Sequence, residues 1–213
     1  MENNLVNLRK IERMACLALK NGLRLHFDSI LLFRNNCFPS AYFLSILALE
    51  EIGKFFLVED VYWHSATEGM PRQWQEKSID LIYSHRRKQI EFGRNLDDLR
   101  PTSKFTKELF NGNIELKKQK AVYVGLPRNK RKTNMRGKIN NPMSISKKKA
   151  GDQITSVNDK IIEFTLGVVK EVYYVYTDCA EKIFSSTLFE ELNKEWAIRS
   201  FRTDKKLQKL SQV

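Results

Sequence analysis

Two short stretches hold the side chains best suited to acid–base chemistry. The first is Ala48-Leu49-Glu50-Glu51-Ile52-Gly53-Lys54. At helical spacing the seam Leu44, Ala48, Glu51, Phe55, Val58 and Tyr62 is apolar or aromatic except for Glu51. A buried carboxylate costs several kcal/mol unless it is paired or hydrogen-bonded. Lys54 follows Glu50 by four residues and Glu51 by three, so it can pair with either. Two acids and a base on an otherwise apolar helix make a polar site within a core. An internal salt bridge that fixes helix register suits the same pattern.

The second stretch is Ser84-His85-Arg86-Arg87-Lys88. On one continuous helix His85 shares a face with Leu81, Lys88 and Phe92, so an imidazole and an ammonium point the same way. An imidazole near a carboxylate and a lysine can act as a general acid or base near neutral pH. A solvated basic face accounts for the same residues. His26, between Leu23 and Ile30, reads as a core histidine, and His64 as a helix-end or surface residue.

Glu50, Glu51 and His85 have the donor types for a divalent ion. Di-iron bundles, however, use paired Glu-x-x-His motifs, and the chain has none. No metal and no cofactor is therefore expected. Phosphate-binding glycine loops, the nucleophile elbow and the dinucleotide fingerprint are also missing, which argues against nucleotide hydrolysis and serine hydrolase chemistry.

Long helices must position these residues, because nine Gly and five Pro in 213 residues are few. A helix is predicted from about 4 to 35, ended by Asn35-Asn36 and Pro39. A second runs from 41 to about 64 with Ser40 as its cap, apolar nearly all round and hence inside a bundle. A third covers about 72–95, with Pro101 beyond it, and a shorter one 106–118. Residues 121–124 read as extended, 128–149 as an irregular loop, and a last long helix as 152–201. The expectation is a single all-α domain over 1–213. Cys16, Cys37 and Cys179 are odd in number and far apart in sequence, and read as separate small apolar residues in a reducing compartment. The opening segment lacks the layout of a secretory signal and no apolar run is long enough to span a bilayer, so a soluble cytoplasmic protein is expected.

Charge is concentrated in one place. Lys117, Lys118, Lys120, Arg128, Lys130, Arg131, Lys132, Arg136, Lys138, Lys147, Lys148 and Lys149 form a run free of Asp and Glu. The 25 basic residues that remain match the 25 acidic ones, so this segment carries the whole net charge of +12. Such a run binds phosphate backbones by releasing counterions, and Tyr123 at its edge can stack on a base. A solvated loop is the alternative.

The residues resemble a family. Asn21…Asp28-Ser29-x-Leu31-Leu32, Pro39-Ser40-Ala41-x-x-Leu44, the Leu-Glu-Glu-Ile-Gly-Lys core, His85-x-x-Lys88 and Lys120-Ala-Val-Tyr123-Val look like the AbiV abortive-infection family. The likeness covers roughly residues 21–124. It implies a HEPN-like helical bundle with a basic loop before the last long helix. It also implies a bacterial, homodimeric antiphage protein that acts on RNA or translation. Many HEPN proteins are metal-independent ribonucleases whose active site forms where two protomers meet, and by resemblance Glu51, Lys54, His85 and Lys88, with Glu50 beside them, would form the polar site. The usual nuclease motif, an Arg followed four to six residues later by His, does not precede His26, His64 or His85. Two functions thus stand open: a ribonuclease, or a non-catalytic dimer that holds RNA, a ribosome or a phage protein. A toxic effector also implies a trigger or inhibitor, for which a phage-encoded protein is one candidate.

Overall fold

A computed structural model describes residues 2–94, 104–126, 128–129, 132–199 and 208. Nine α-helices appear among them: α1 (Glu2–Arg34), α2 (Phe38–Thr67), α3 (Arg72–Asp80), α4 (His85–Gly93), α5 (Lys104–Phe110), α6 (Asn113–Val122), α7 (Lys147–Val169), α8 (Asp178–Ile183) and α9 (Ser186–Glu195). The fold is an all-α bundle. Helix α2 lies at its centre, paired along its length with α1 and packed against α4, α6 and α7. Its all-round apolar character is the reason: Ile46, Leu49, Phe55 and Val58 are fully buried on different sides. Among the described residues, no helix is long and apolar enough to cross a membrane.

Three predicted helices are each broken. The helix expected over 72–95 stops at Asp80, passes through a 3₁₀ turn at Leu81–Tyr83, and restarts at His85. Ser84 is extended (ψ 110°), and its hydroxyl accepts a hydrogen bond from the Arg87 amide. This N-cap resets the helical phase, so Leu81 and His85 do not share a face. The helix expected over 106–118 is two helices, divided at Asn111-Gly112, where Gly112 has φ of 72°.

The last helix ends at Val169 instead of continuing toward 201. The amides of Val172 and Tyr173 fold back onto the carbonyl of Gly167, and the Tyr173 ring covers that glycine. The sequence after Val168 is rich in β-branched and aromatic residues, which are poor at continuing a helix. The reversal carries Tyr176 and Thr177 to Glu59, which accepts from the Tyr176 amide at 2.7 Å and from the Thr177 hydroxyl. Pro101 and Phe201 lie outside the described residues.

The described residues of the basic segment include local backbone pairing. Within it Gly125 and Asn140 pair through their backbones, and the Asn140 side-chain amide donates to the carbonyls of Lys120 and Tyr123. Arg128–Asn129 and Lys132–Thr133 also pair as two short antiparallel strands. The cysteine reading is also corrected. Cys16 and Cys179, 163 residues apart in sequence, bring their sulfurs into contact between α1 and α8, with Cα atoms 5.9 Å apart, whereas Cys37 is exposed and free. Packing of the first helix against the eighth, and no local motif, creates that pairing.

Candidate active site

Glu50 is the centre of the polar cluster. Its side chain is only 3% exposed, and four donors surround it. His85 Nδ1 lies 2.8 Å from Oε2, while Gln89 Nε2 and Lys118 Nζ donate to Oε1 at 2.8 and 2.9 Å. Lys88 Nζ stands 4.0 Å from Oε2. His85 and Gln89 are four residues apart on α4, so one turn of that helix presents both groups to the same carboxylate. Lys118 reaches in from α6 and also pairs with Glu115, one turn earlier, at 2.7 Å.

Close backbone packing makes this possible. A β-carbon on Gly53 would lie 2.0 Å from the carbonyl oxygen of Lys88, so only glycine lets α2 and α4 approach this closely. Gly53 is one helical turn from Glu50, and Lys88 one turn from His85. The glycine therefore sets the gap that the Glu50–His85 hydrogen bond spans.

The electrostatics follow from the partners. Glu50 is acceptor-only as a carboxylate and lies closer to Nδ1, at 2.8 Å, than the Lys118 ammonium does, at 3.3 Å, so Nδ1 carries the proton and Nε2 is the nitrogen left for a substrate. His85 is exposed, with 53% of its side chain accessible, although the carboxylate beneath it is sealed. Burial disfavours the Lys118 ammonium, but hydrogen bonds and charge from Glu115 and Glu50 outweigh that cost and raise its pKa. Glu115 is held below the usual carboxylate range, because Lys118, Gln119 and His85 outweigh its partial burial. The result is an exposed imidazole oriented by a buried acid, the arrangement that general acid–base catalysis needs.

The sequence-predicted site residues separate into two groups. Glu50, His85 and Lys88 come together. Glu51 and Lys54 do not join them: α2 turns Glu51 toward α1, where it accepts a hydrogen bond from Asn21 Nδ2 at 3.1 Å, with Lys54 Nζ 4.0 Å away. These residues lie along an open groove of about 480 Å³, with Lys10 and Arg13 at its edge and Met14, Leu17 and Ala18 as its apolar surface. Successive helical residues point about 100° apart, so Glu50 and Glu51 serve different helix pairs. Gln89, Lys118 and Glu115 are the members that sequence reading misses. For Gln89 a signal exists, its four-residue step from His85.

The basic segment is divided as well. Lys118 is buried in the Glu50 cluster, and Lys117 pairs with Glu108 at 2.7 Å, so neither is a free surface cation. Lys120, Tyr123, Arg136, Lys138, Lys147, Lys148 and Lys149 are exposed. Lys148 also meets Asp152 at 2.7 Å. Arg128 and Lys132 lie on the two short paired strands. Lys130 and Arg131 lie outside the described residues.

His26 is the core histidine expected, fully buried, with Nε2 2.8 Å from Asn158 Oδ1. Burial lowers its pKa to about 4, against a smaller upward effect of the Asn158 hydrogen bond. His64 lies near the end of α2 with Asp60 and Glu68 for neighbours.

No curated protein and no solved structure matches the chain. The family model of AbiV, one of the HEPN families, matches residues 10–163, a span that holds both polar groups and the basic segment. On that match the chain belongs to the AbiV family of HEPN proteins.

Proposed function

We propose that this chain is an antiphage abortive-infection protein that acts on RNA as a metal-independent ribonuclease, with His85 as its acid–base group. The exposed imidazole held on a buried carboxylate is the observation that carries the reading. The 2′-hydroxyl of RNA attacks the adjacent phosphate. A 2′-oxygen–phosphorus bond forms, and the bond to the 5′-oxygen breaks. His85 Nε2 accepts the 2′-hydroxyl proton, Glu50 stabilises the imidazolium, and the proton then passes to the departing 5′-oxygen. Lys88 supplies positive charge beside the site, and the exposed lysines of 120–149 hold the strand. A single domain that pairs into a homodimer, with a phage-encoded protein as regulator, completes the proposal.

A second reading is a dimeric binding module that holds RNA, a ribosome or a phage protein without chemistry. The absence of an Arg four to six residues before His85 favours it. Incubating the purified protein with total RNA in EDTA separates the two. Cleavage by the wild type that is lost in His85→Ala supports the ribonuclease. Binding without cleavage supports the module, and cleavage unchanged in His85→Ala removes His85 from the mechanism.

A further inference from the structure

Glu50, His85 and Glu115 bring one ligand atom each to within 4.8 Å of one another. A histidine and two carboxylates are a common donor set for zinc and other first-row divalent ions. Yet Lys118 Nζ stands between them, 2.9 Å from Glu50 Oε1, 2.7 Å from Glu115 Oε2 and 3.3 Å from His85 Nδ1. Its side chain is 8% exposed, so it has little room to swing into solvent. The ammonium fills the space a metal would occupy and neutralises the same acids.

We propose that Lys118 is the resident cation of this site. It positions Glu50 and Glu115 about His85 as a divalent ion otherwise would, and it closes a three-ligand metal site. Two physical effects enforce the exclusion. A divalent ion brought among these donors meets the ammonium at contact distance, and any ion that displaces the ammonium strands it in the interior, where an unpaired charge is strongly disfavoured. Lys118 is a positioning residue, because it contacts His85 and its acid partners and need not touch substrate. Its catalytic meaning rests on the ribonuclease reading, whereas its effect on metal binding does not.

The experiment is a Zn²⁺ titration by calorimetry, together with thermal unfolding, of the wild type, Lys118→Ala and Lys118→Ala/His85→Ala. Removing the ammonium leaves Glu115 and the imidazole without a cation at contact distance and Glu50 with only Lys88, 4.0 Å away, so Lys118→Ala should gain one Zn²⁺ site that the wild type lacks. Its Tm should rise with added Zn²⁺ while the wild-type Tm stays constant, and the double variant should lose the gained site. Lys118→Gln keeps most of the side-chain volume and decides the matter if Lys118→Ala does not fold. Equal Zn²⁺ binding by the wild type, or no gained site in a folded Lys118 variant, overturns the proposal. Failure of the wild type to cleave RNA sinks the ribonuclease reading alone, and the titration still decides the role of Lys118.

Discussion

Gly53 of α2 lies against the backbone of α4 so closely that a methyl group on it would sit 2.0 Å from the carbonyl oxygen of Lys88. That oxygen belongs to the main chain, so no side-chain rotation can relieve the clash. Gly53→Ala should therefore destabilise the fold by roughly 1–3 kcal/mol, the usual cost of overpacking a core. It should also push α4 outward and lengthen the Glu50–His85 hydrogen bond. Urea denaturation gives the first effect. RNA cleavage measured where the variant is fully folded gives the second, and it should fall by about tenfold or more, the equivalent of about 1.4 kcal/mol in the barrier.

Glu50 accepts from or faces four donors, and only a carboxylate can serve them all. Glu50→Gln is nearly isosteric, but its amide nitrogen must point at a donor and the Lys118 charge loses a partner. The loss should be roughly 2–4 kcal/mol of stability, in line with breaking a buried pair from one side. Cleavage should fall with it, because His85 loses the group that fixes its tautomer. A Glu50→Gln protein as stable as the wild type would mean that the cluster is loosely packed.

His26 makes stability depend on pH. Its pKa is about 4 in the folded protein against 6.5 for the free side chain. The unfolded chain therefore binds a proton first as the pH drops, and stability declines from about pH 6.5 down to about 4. From this group alone the protein should be about 2 kcal/mol less stable at about pH 5 than at about pH 7.5. Glu59 works in the opposite sense, since burial raises its pKa. The difference between wild type and His26→Gln, measured by urea unfolding at each pH, isolates the histidine. That difference should shrink as the pH falls.

Lys147, Lys148 and Lys149 occupy the first turn of α7, where the helix dipole disfavours cations. Bound phosphate would reverse that penalty. Replacing all three by Ala should leave the fold as stable or slightly more so. It should weaken RNA binding and reduce the slope of log K against log salt by about 2, at roughly 0.7 for each phosphate of single-stranded RNA no longer neutralised. Fluorescence anisotropy across a salt series measures both. An unchanged slope would place the RNA elsewhere.

Much of this protein is written in its residue pattern. Helical periodicity places α1 and α2, but Ser40 does not cap α2: the helix starts at Phe38, with Cys37 at the N-cap and Pro39 in its first turn. Composition alone places the net charge in one segment, and residue types single out Glu50, Glu51, Lys54, His85 and Lys88 as candidates for acid–base chemistry, of which Glu51 and Lys54 stand apart from the rest in the structure. Helix breaks are less legible. The Ser84 cap is a one-residue signal inside a good helical pattern, and the turn after Val169 depends on Tyr173 folding over Gly167.

Tertiary packing decides which acid serves the histidine. On α2 alone, the apolar seam singles out Glu51 as the buried acid, with Lys54 within reach of both carboxylates, whereas the structure buries Glu50. Their roles diverge because α4 and α6 cover one side of α2 while α1 covers the other. Lys118 shows the same limit. In sequence it is one more cation in a basic run, yet α6 buries it between Glu50 and Glu115. Periodicity gives the direction of a side chain around its own helix. It does not say which helix will stand opposite, and that neighbour determines whether a charge becomes a surface contact or the centre of a site.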